Sequence, residues 1–267
     1  MTYSVEISNL TRIFSLKHGT LLRMSRLRKG HTQREIVVAL NNVNLKVKKG
    51  RIFGIMGPNG AGKSTLIKIL ATLLKPTSGH VIIEGYDLED KTSIRKIIGV
   101  VLDDQGFYWR LSGYDYLKFF GKVYNIDPVL LDKRILELIK MFNLKTRIHH
   151  SINTYSLGMR RKLALARAII HDPCVLLLDE PTLGLDPVSC NDFWSFIKYL
   201  AKNTFKTIIL TSHNPYEIEN LSDEVVLIKE GKVISVGKPE ELKKQLSEET
   251  GKKNATMSDI YLSFTRR

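Results

Sequence analysis

The sequence predicts an α/β fold in which a parallel sheet forms the core, an antiparallel β region precedes it and an all-helical segment is inserted into it. Three observations carry that prediction. A glycine-rich stretch, GPNGAGKST at 57–65, stands between a short apolar run (51–56) and a set of apolar residues at helical spacing: Leu66, Ile67, Ile69, Leu70, Leu73 and Leu74. Unbroken apolar runs recur at 175–178, 207–210 and 225–228, the pattern of parallel strands covered on both faces. Between about 112 and 171 that pattern gives way to helical periodicity.

Taken in order, residues 3–14 and 36–49 read as strands, with Val5, Ile7 and Leu10 in the first and Val38, Leu40, Val43, Leu45 and Val47 in the second. The segment 18–34 between them is rich in cations (Arg23, Arg26, Arg28, Lys29, Arg34) and has no periodicity; it fits a solvated loop or a contact with a membrane surface or partner. Residues 51–56 form a buried strand, the glycine stretch a loop, and a helix through Leu74 follows. Strands are expected at 81–85 and 97–102. Ser112 and Asp115 make a capping box at the start of the helical segment, in which 130–142 is the most periodic stretch. After the strand at 175–178, Asp186 caps and Pro187 opens a helix to about 203. Glu230-Gly231 turns a hairpin, Pro239 starts another helix, and Thr256 with Asp259 caps the last one. The chain reads as one domain, 3–267, in four stretches: 3–105, 106–171, 172–237 and 238–267. It shows no internal repeat and no long heptad run.

Composition narrows the class. The chain has 267 residues, 43% of them hydrophobic and 25% charged, ordinary for a globular protein with a full core. No run of 18 apolar residues spans a bilayer, and the first residues lack the basic and apolar regions of a signal peptide. Cys174 and Cys190 alone make neither a disulfide framework nor a zinc site; Cys174, opening an apolar run, is expected in the core, and a reducing cytosol fits. The net charge of +14 fits a bias toward polyanions, whether anionic lipid, nucleic acid or nucleotide, and equally a solvated basic surface.

The glycine stretch fits G-x-x-x-x-G-K-[ST], a phosphate-binding loop. Gly57, Gly60 and Gly62 let successive N–H groups of the loop, including those at Asn59, Ala61 and Thr65, turn inward on an anion while Pro58 shapes the turn. Lys63 supplies a point charge for the β- and γ-phosphates, and Ser64 a hydroxyl for Mg²⁺. The helix that follows presents its positive end to the phosphates. A second constellation, Asp179-Glu180, ends an apolar strand, which puts both acids in the crevice at the carboxyl end of a parallel sheet. Asp179 suits Mg²⁺, and the adjacent Glu180 suits the polarisation of a water for attack on the γ-phosphate.

With these residues in hand, nearly the whole chain resembles the ATP-binding cassette of ABC transporters. YSLGMR at 155–160 resembles the family's signature motif in an S-x-G-M form, LGLD at 183–186 matches the D-loop, and His213, after TIILTS, matches the switch histidine. The resemblance implies a P-loop NTPase core of ABC type with an antiparallel β subdomain and an inserted α-helical subdomain. It implies catalysis of ATP hydrolysis by Glu180, His213 and Lys63, and Mg²⁺ bound by Ser64 and Asp179. It places Ser156, Gly158, Met159 and Asp186 on the ATP of a second cassette, in trans, and Phe14 on adenine. At one point the sequence departs from the family. A glutamine that joins Mg²⁺ and the attacking water to the helical insert is expected after the strand ending near Val101, where the chain reads Asp103-Asp104-Gln105. Counting puts Asp103 at that position; Gln105, two residues later, is the alternative carried forward as an ATP and metal contact.

The implied function is the ATPase subunit of a transporter whose membrane-spanning permease is a separate chain, working as a homodimer or heterodimer of cassettes, peripheral to the cytoplasmic face of the cell membrane. The spellings at 158–159 and 257–264 lean toward exporters. Anionic lipid is a further contact suggested by the charge. The competing reading is a soluble cassette ATPase acting on nucleic acid or ribosomes; the charge favours it, and the single cassette without a coiled coil argues against it.

Overall fold

A computed structural model describes residues 2–16, 35–103 and 106–266. The basic segment 18–34 and Gln105 lie outside the described residues.

Among the described residues, ten strands make two sheets. β1 (Tyr3–Leu16), β2 (Glu35–Lys48), β4 (Ser78–Ile83) and β5 (Tyr86–Asp87) form an antiparallel sheet in the order β2-β1-β4-β5. β3 (Ile52–Met56), β6 (Ile98–Val101), β7 (Val175–Asp179), β8 (Thr207–Ser212), β9 (Glu224–Lys229) and β10 (Lys232–Gly237) form the second, in the order β10-β9-β3-β8-β7-β6. All its pairings are parallel except β9–β10, the hairpin turned at Glu230-Gly231, both at positive φ.

The unbroken apolar runs are explained by two cores, one on each face of this sheet. Phe53, Ile55, Val175, Leu177, Ile209, Val226 and Ile228 point into a core shared with the antiparallel sheet and α1 (Lys63–Leu70). Their neighbours Ile52, Met56, Leu176, Leu178, Ile208, Leu210, Val225 and Leu227 point into the other, with the helices on the far face. Strand alternation sorts these side chains, each contributing about 1.5–3 kcal/mol on full burial. The helices of the far face include α6 (Pro187–Thr204) and α7 (Pro215–Leu221), which Asp186 and Asn214 cap. α8 (Pro239–Thr250) and α9 (Met257–Arg266) follow the hairpin. Thr256 and Asp259 exchange backbone bonds as a complete capping box.

Between β6 and β7 the chain leaves the sheet and builds α3 (Gly113–Val123), α4 (Pro128–Met141) and α5 (Leu157–Ile169). α5 returns onto β6 so closely that a Cβ at Gly99 would stand 2.1 Å from the Ala168 carbonyl.

Two expectations need correction, and one element was not foreseen. α1 stops at Leu70 and not at Leu74, because Thr72 turns to positive φ and leaves Leu73 exposed. Cys174 is exposed: its N–H bonds Ile97 and its carbonyl Thr207, so its backbone belongs to the sheet margin while its side chain turns outward. α2 (Lys91–Ile97), capped by Asp90, was not expected; it buries only Ile94, which leaves little periodicity to read.

Candidate functional site

The site lies at the carboxyl ends of β3, β7 and β8, where parallel register brings three segments to one level. Met56 pairs with Ser212, and Asp179 with Thr211. Each strand therefore delivers its next residues, Gly57, Glu180 and His213, to the same edge.

The glycine loop is shaped by contacts that exclude side chains. A Cβ at Gly57 would meet the Ile228 carbonyl at 2.2 Å, and one at Gly62 the Ala39 carbonyl at 2.3 Å. Gly62, at φ 103°, caps α1, so the loop passes straight into the helix whose first residues are Lys63, Ser64 and Thr65. The loop is also tied to the antiparallel sheet: Gly231 N–H donates to the Ala61 carbonyl at 3.0 Å, and Asn41 N–H to Gly231 at 2.8 Å.

Lys63 is 6% exposed. Its ammonium donates to the Gly57 carbonyl at 2.7 Å and the Pro58 carbonyl at 3.2 Å, and stands 3.5 Å from Glu180 Oε1. Asp179, 3% exposed, accepts from the Ser64 hydroxyl at 3.0 Å and the Thr211 hydroxyl at 2.7 Å, both on Oδ1. The other carboxylate oxygen has no such bond among the described residues. The Thr211 oxygen also accepts the Glu180 N–H at 2.9 Å. Glu180, just after β7, sits at φ 47°, in the left-handed region. Glu180 Oε2 lies 2.8 Å from His213 Nδ1.

Thus Lys63, Ser64, Asp179, Glu180 and His213 converge on one mouth. A hydroxyl and a carboxylate 3.0 Å apart are hard oxygen donors of the kind Mg²⁺ takes, with water and phosphate completing its shell. Thr211 was missed in the sequence, since nothing marks it until strand pairing sets it opposite Asp179.

The residues expected to act in trans gather elsewhere. Ser156 caps α5, accepting the Met159 N–H at 3.2 Å, and is exposed with its O–H free to donate. A Cβ on Gly158 would touch Ser189 at 3.2 Å. Asp186 caps α6 and accepts the Ser189 hydroxyl at 2.6 Å, and that bond, helped by the Ser189 N–H, holds its carboxyl below the ordinary range. Ser156 and Asp186 are exposed and Gly158 and Met159 half-buried, where α5 and α6 begin. Phe14 is half-buried on β1, with the Arg12 guanidinium 4.4 Å from its ring centre and covering one face. Asp103 is bound at 3.0 Å to Arg161 of α5; no bond to Ser64 or Asp179 is seen.

Comparison with known proteins supplies the family. The family model described as ABC transporter matches residues 40–183. The ABC transporter ATP-binding protein NatA of Bacillus subtilis is 38% identical over 217 residues, covering 80% of this chain and 88% of NatA. The doxorubicin resistance ATP-binding protein DrrA of Mycobacterium tuberculosis is 38% identical over 208 residues, 78% of this chain and 62% of DrrA. A dimeric ATP-binding cassette in a post-hydrolysis state with ADP and Pi superimposes with a TM-score of 0.74 at 28% identity, over 88% of this chain and 98% of that one. The chain belongs to the ABC transporter ATPase family. It is an ATP-binding, ATP-hydrolysing subunit that powers a transporter, and the nucleic-acid alternative is not favoured by these relatives.

Proposed function

We propose that this member of the family drives an exporter from the cytoplasmic face of the membrane, with a separate permease chain, by closing and opening a pair of cassettes around two ATP molecules with Mg²⁺. The convergence of Lys63, Ser64, Asp179, Glu180 and His213 carries the proposal. Lys63 would exchange two backbone carbonyls for phosphate oxygens, a stronger charged pairing. Ser64 and Asp179 would hold Mg²⁺, which when bound offsets negative charge on the β- and γ-phosphates.

Glu180 is placed for the water. Its carboxylate lies 3.5 Å from Lys63 and 2.8 Å from His213, so Asp179 would serve the metal and Glu180 would orient the nucleophile. His213, hydrogen-bonded to Glu180, would contact the γ-phosphate. The surface with Ser156, Gly158, Met159 and Asp186 would close on the ATP of the other cassette, with Ser156 hydroxyl and the α5 amino end as the anion contact. Catalysis here is positioning and electrostatics. No described helix is long and apolar enough to cross a membrane, which agrees with a peripheral subunit. The export direction rests on the resistance function named for DrrA and on the sequence spellings. Anionic lipid as a contact of the 18–34 segment rests on charge alone.

The test is Glu180→Gln with saturating ATP and Mg²⁺. The variant is expected to keep ATP affinity and accumulate a dimer by light scattering; a chain that stays monomeric refutes ATP-driven closure in the absence of the permease. Lys63→Ala is expected to weaken ATP binding about 10- to 100-fold, the worth of one charged hydrogen bond. Unchanged affinity by calorimetry refutes the loop assignment.

A further inference from the structure

Arg161 is the most deeply buried arginine side chain in an ion pair of the described residues, 6% exposed, yet it lies only five residues into α5 from the Ser156 cap. Its Nη2 donates to Asp103 Oδ1 at 3.0 Å and reaches the Leu183 carbonyl at 3.5 Å. Nε and Nη1 are buried with no hydrogen-bond partner among the described residues. One guanidinium therefore joins three segments: the beginning of α5, the stretch after β6 and the loop that leads from Glu180 to Asp186.

The two ends of α5 are fastened differently. Its far end is locked by backbone packing, with Gly99 against Ala168 and with Arg167 donating to the Val100 carbonyl and the Tyr116 hydroxyl, both at 3.0 Å. Its near end is held by side chains: the Arg161 pair, Lys162 to Asp192 on α6 at 2.9 Å, Arg160 over the Trp109 ring, and Met159 against the core. Beside the pair lies a cavity of about 250 Å³, lined by Asp103, Phe107, Trp109, Leu157, Arg160 and Arg161 among others. That space is large enough for the guanidinium to leave its present place. Asp103, 59% exposed, is its only carboxylate partner among the described residues, and a buried cation that loses its partner is strongly disfavoured where it sits.

We propose that Asp103 and Arg161 are positioning residues: their pair fixes the first turn of α5, with Ser156, and the 183–186 loop on the core, and Asp103 is not a metal ligand. The position at which the family carries a glutamine is thus used here for a charged latch on the helical insert. The consequence for turnover rests on the proposed ATPase mechanism; the consequence for geometry does not.

The test uses the full chain with Cys174 and Cys190 replaced by serine and spin labels at Val129 on α4, 80% exposed, and Lys232 on β10. Asp103→Asn is expected to broaden the distance distribution between them, and to lower kcat about tenfold with KM for ATP within about twofold, as small misplacements of a catalytic group do. The exchange Asp103→Arg with Arg161→Asp is expected to narrow the distribution again, which a merely structural asparagine effect would not do. Arg161→Met should broaden it as Asp103→Asn does. An unchanged distribution in Asp103→Asn overturns the proposal. So does a several-fold rise in the Mg²⁺ needed for half-maximal activity, which would put Asp103 on the metal. A Glu180→Gln chain that never dimerises would remove the functional reading while the distances still decide the latch.

Discussion

Thr211→Val isolates a hydroxyl that the site depends on and leaves its shape nearly intact. Thr211 is fully buried. Its hydroxyl donates to Asp179 Oδ1 at 2.7 Å and accepts the Glu180 N–H at 2.9 Å. Valine removes both bonds and returns neither group to water. A hydrogen bond to a charged group is worth about 1.5–3 kcal/mol, and an orphaned buried N–H costs about 1–3 kcal/mol, so a loss of about 3–5 kcal/mol is expected. For a chain of this size that is a fall in Tm of roughly 6–20 °C. Activity should fall as well, because Thr211 sets both the tilt of Asp179 and the left-handed turn at Glu180. Thr211→Ser keeps the hydroxyl and should recover most of kcat. The assays are thermal unfolding without nucleotide and steady-state ATPase with saturating Mg²⁺. A valine variant with Tm within about 2 °C of the parent and undiminished kcat would show that the strand, not the hydroxyl, holds the two acids.

Gly57→Ala drives a Cβ to 2.2 Å from the Ile228 carbonyl; ATP affinity by calorimetry should fall at least tenfold, since backbone must shift in the loop itself. His171 stacks on Tyr124 at 3.7 Å, and burial, only partly offset by its bond to the Ile98 carbonyl, lowers its pKa to about 4. The unfolded chain protonates it near pH 6.5, so stability is full above that and falls as pH drops toward 4, by about 2 kcal/mol after solvent screening. Urea unfolding at pH 7 and 4.5 should show His171→Gln without that component. Glu217, almost wholly buried, accepts from the Thr182 hydroxyl at 2.7 Å and Trp194 Nε1 at 2.9 Å; Glu217→Leu should destabilise by about 2–4 kcal/mol in chemical unfolding, and Glu217→Gln, which keeps an acceptor, by much less.

What the sequence showed and what it hid follow from the range of each interaction. The glycine loop is local: its turn, its lysine and the start of its helix lie within the nine residues 57–65, and its consequences are written there. The parallel strands were legible because burial on both faces removes polar residues from the run, and the structure divides those same residues between two cores. Thr211 was hidden because its role depends on β8 lying beside β7, a pairing between residues 32 apart. The Asp103 ambiguity had the same origin. Counting along the chain could not show that a guanidinium 58 residues away holds its carboxylate. Cys174 was misplaced because an apolar run says nothing about its first residue, whose side chain alternates outward at the margin of the sheet.

The two adjacent acids show how one strand end supports two chemistries. Asp179 is still within β7, so its side chain obeys strand alternation and is drawn into the sheet edge, where the Ser64 and Thr211 hydroxyls meet it. Had Glu180 continued the strand, it would have pointed to the opposite face, away from the glycine loop. The left-handed turn at φ 47° breaks that alternation and returns its carboxylate to the loop mouth, between Lys63 and His213. A non-glycine residue in that region costs of order 1–3 kcal/mol, and the Glu180 N–H bond to Thr211 helps hold it there. The strain is therefore located where it separates the carboxylate suited to metal from the one suited to water. Releasing it, by Thr211→Val above all, should harm turnover more than it harms ATP binding, because Lys63 and the loop amides remain in place.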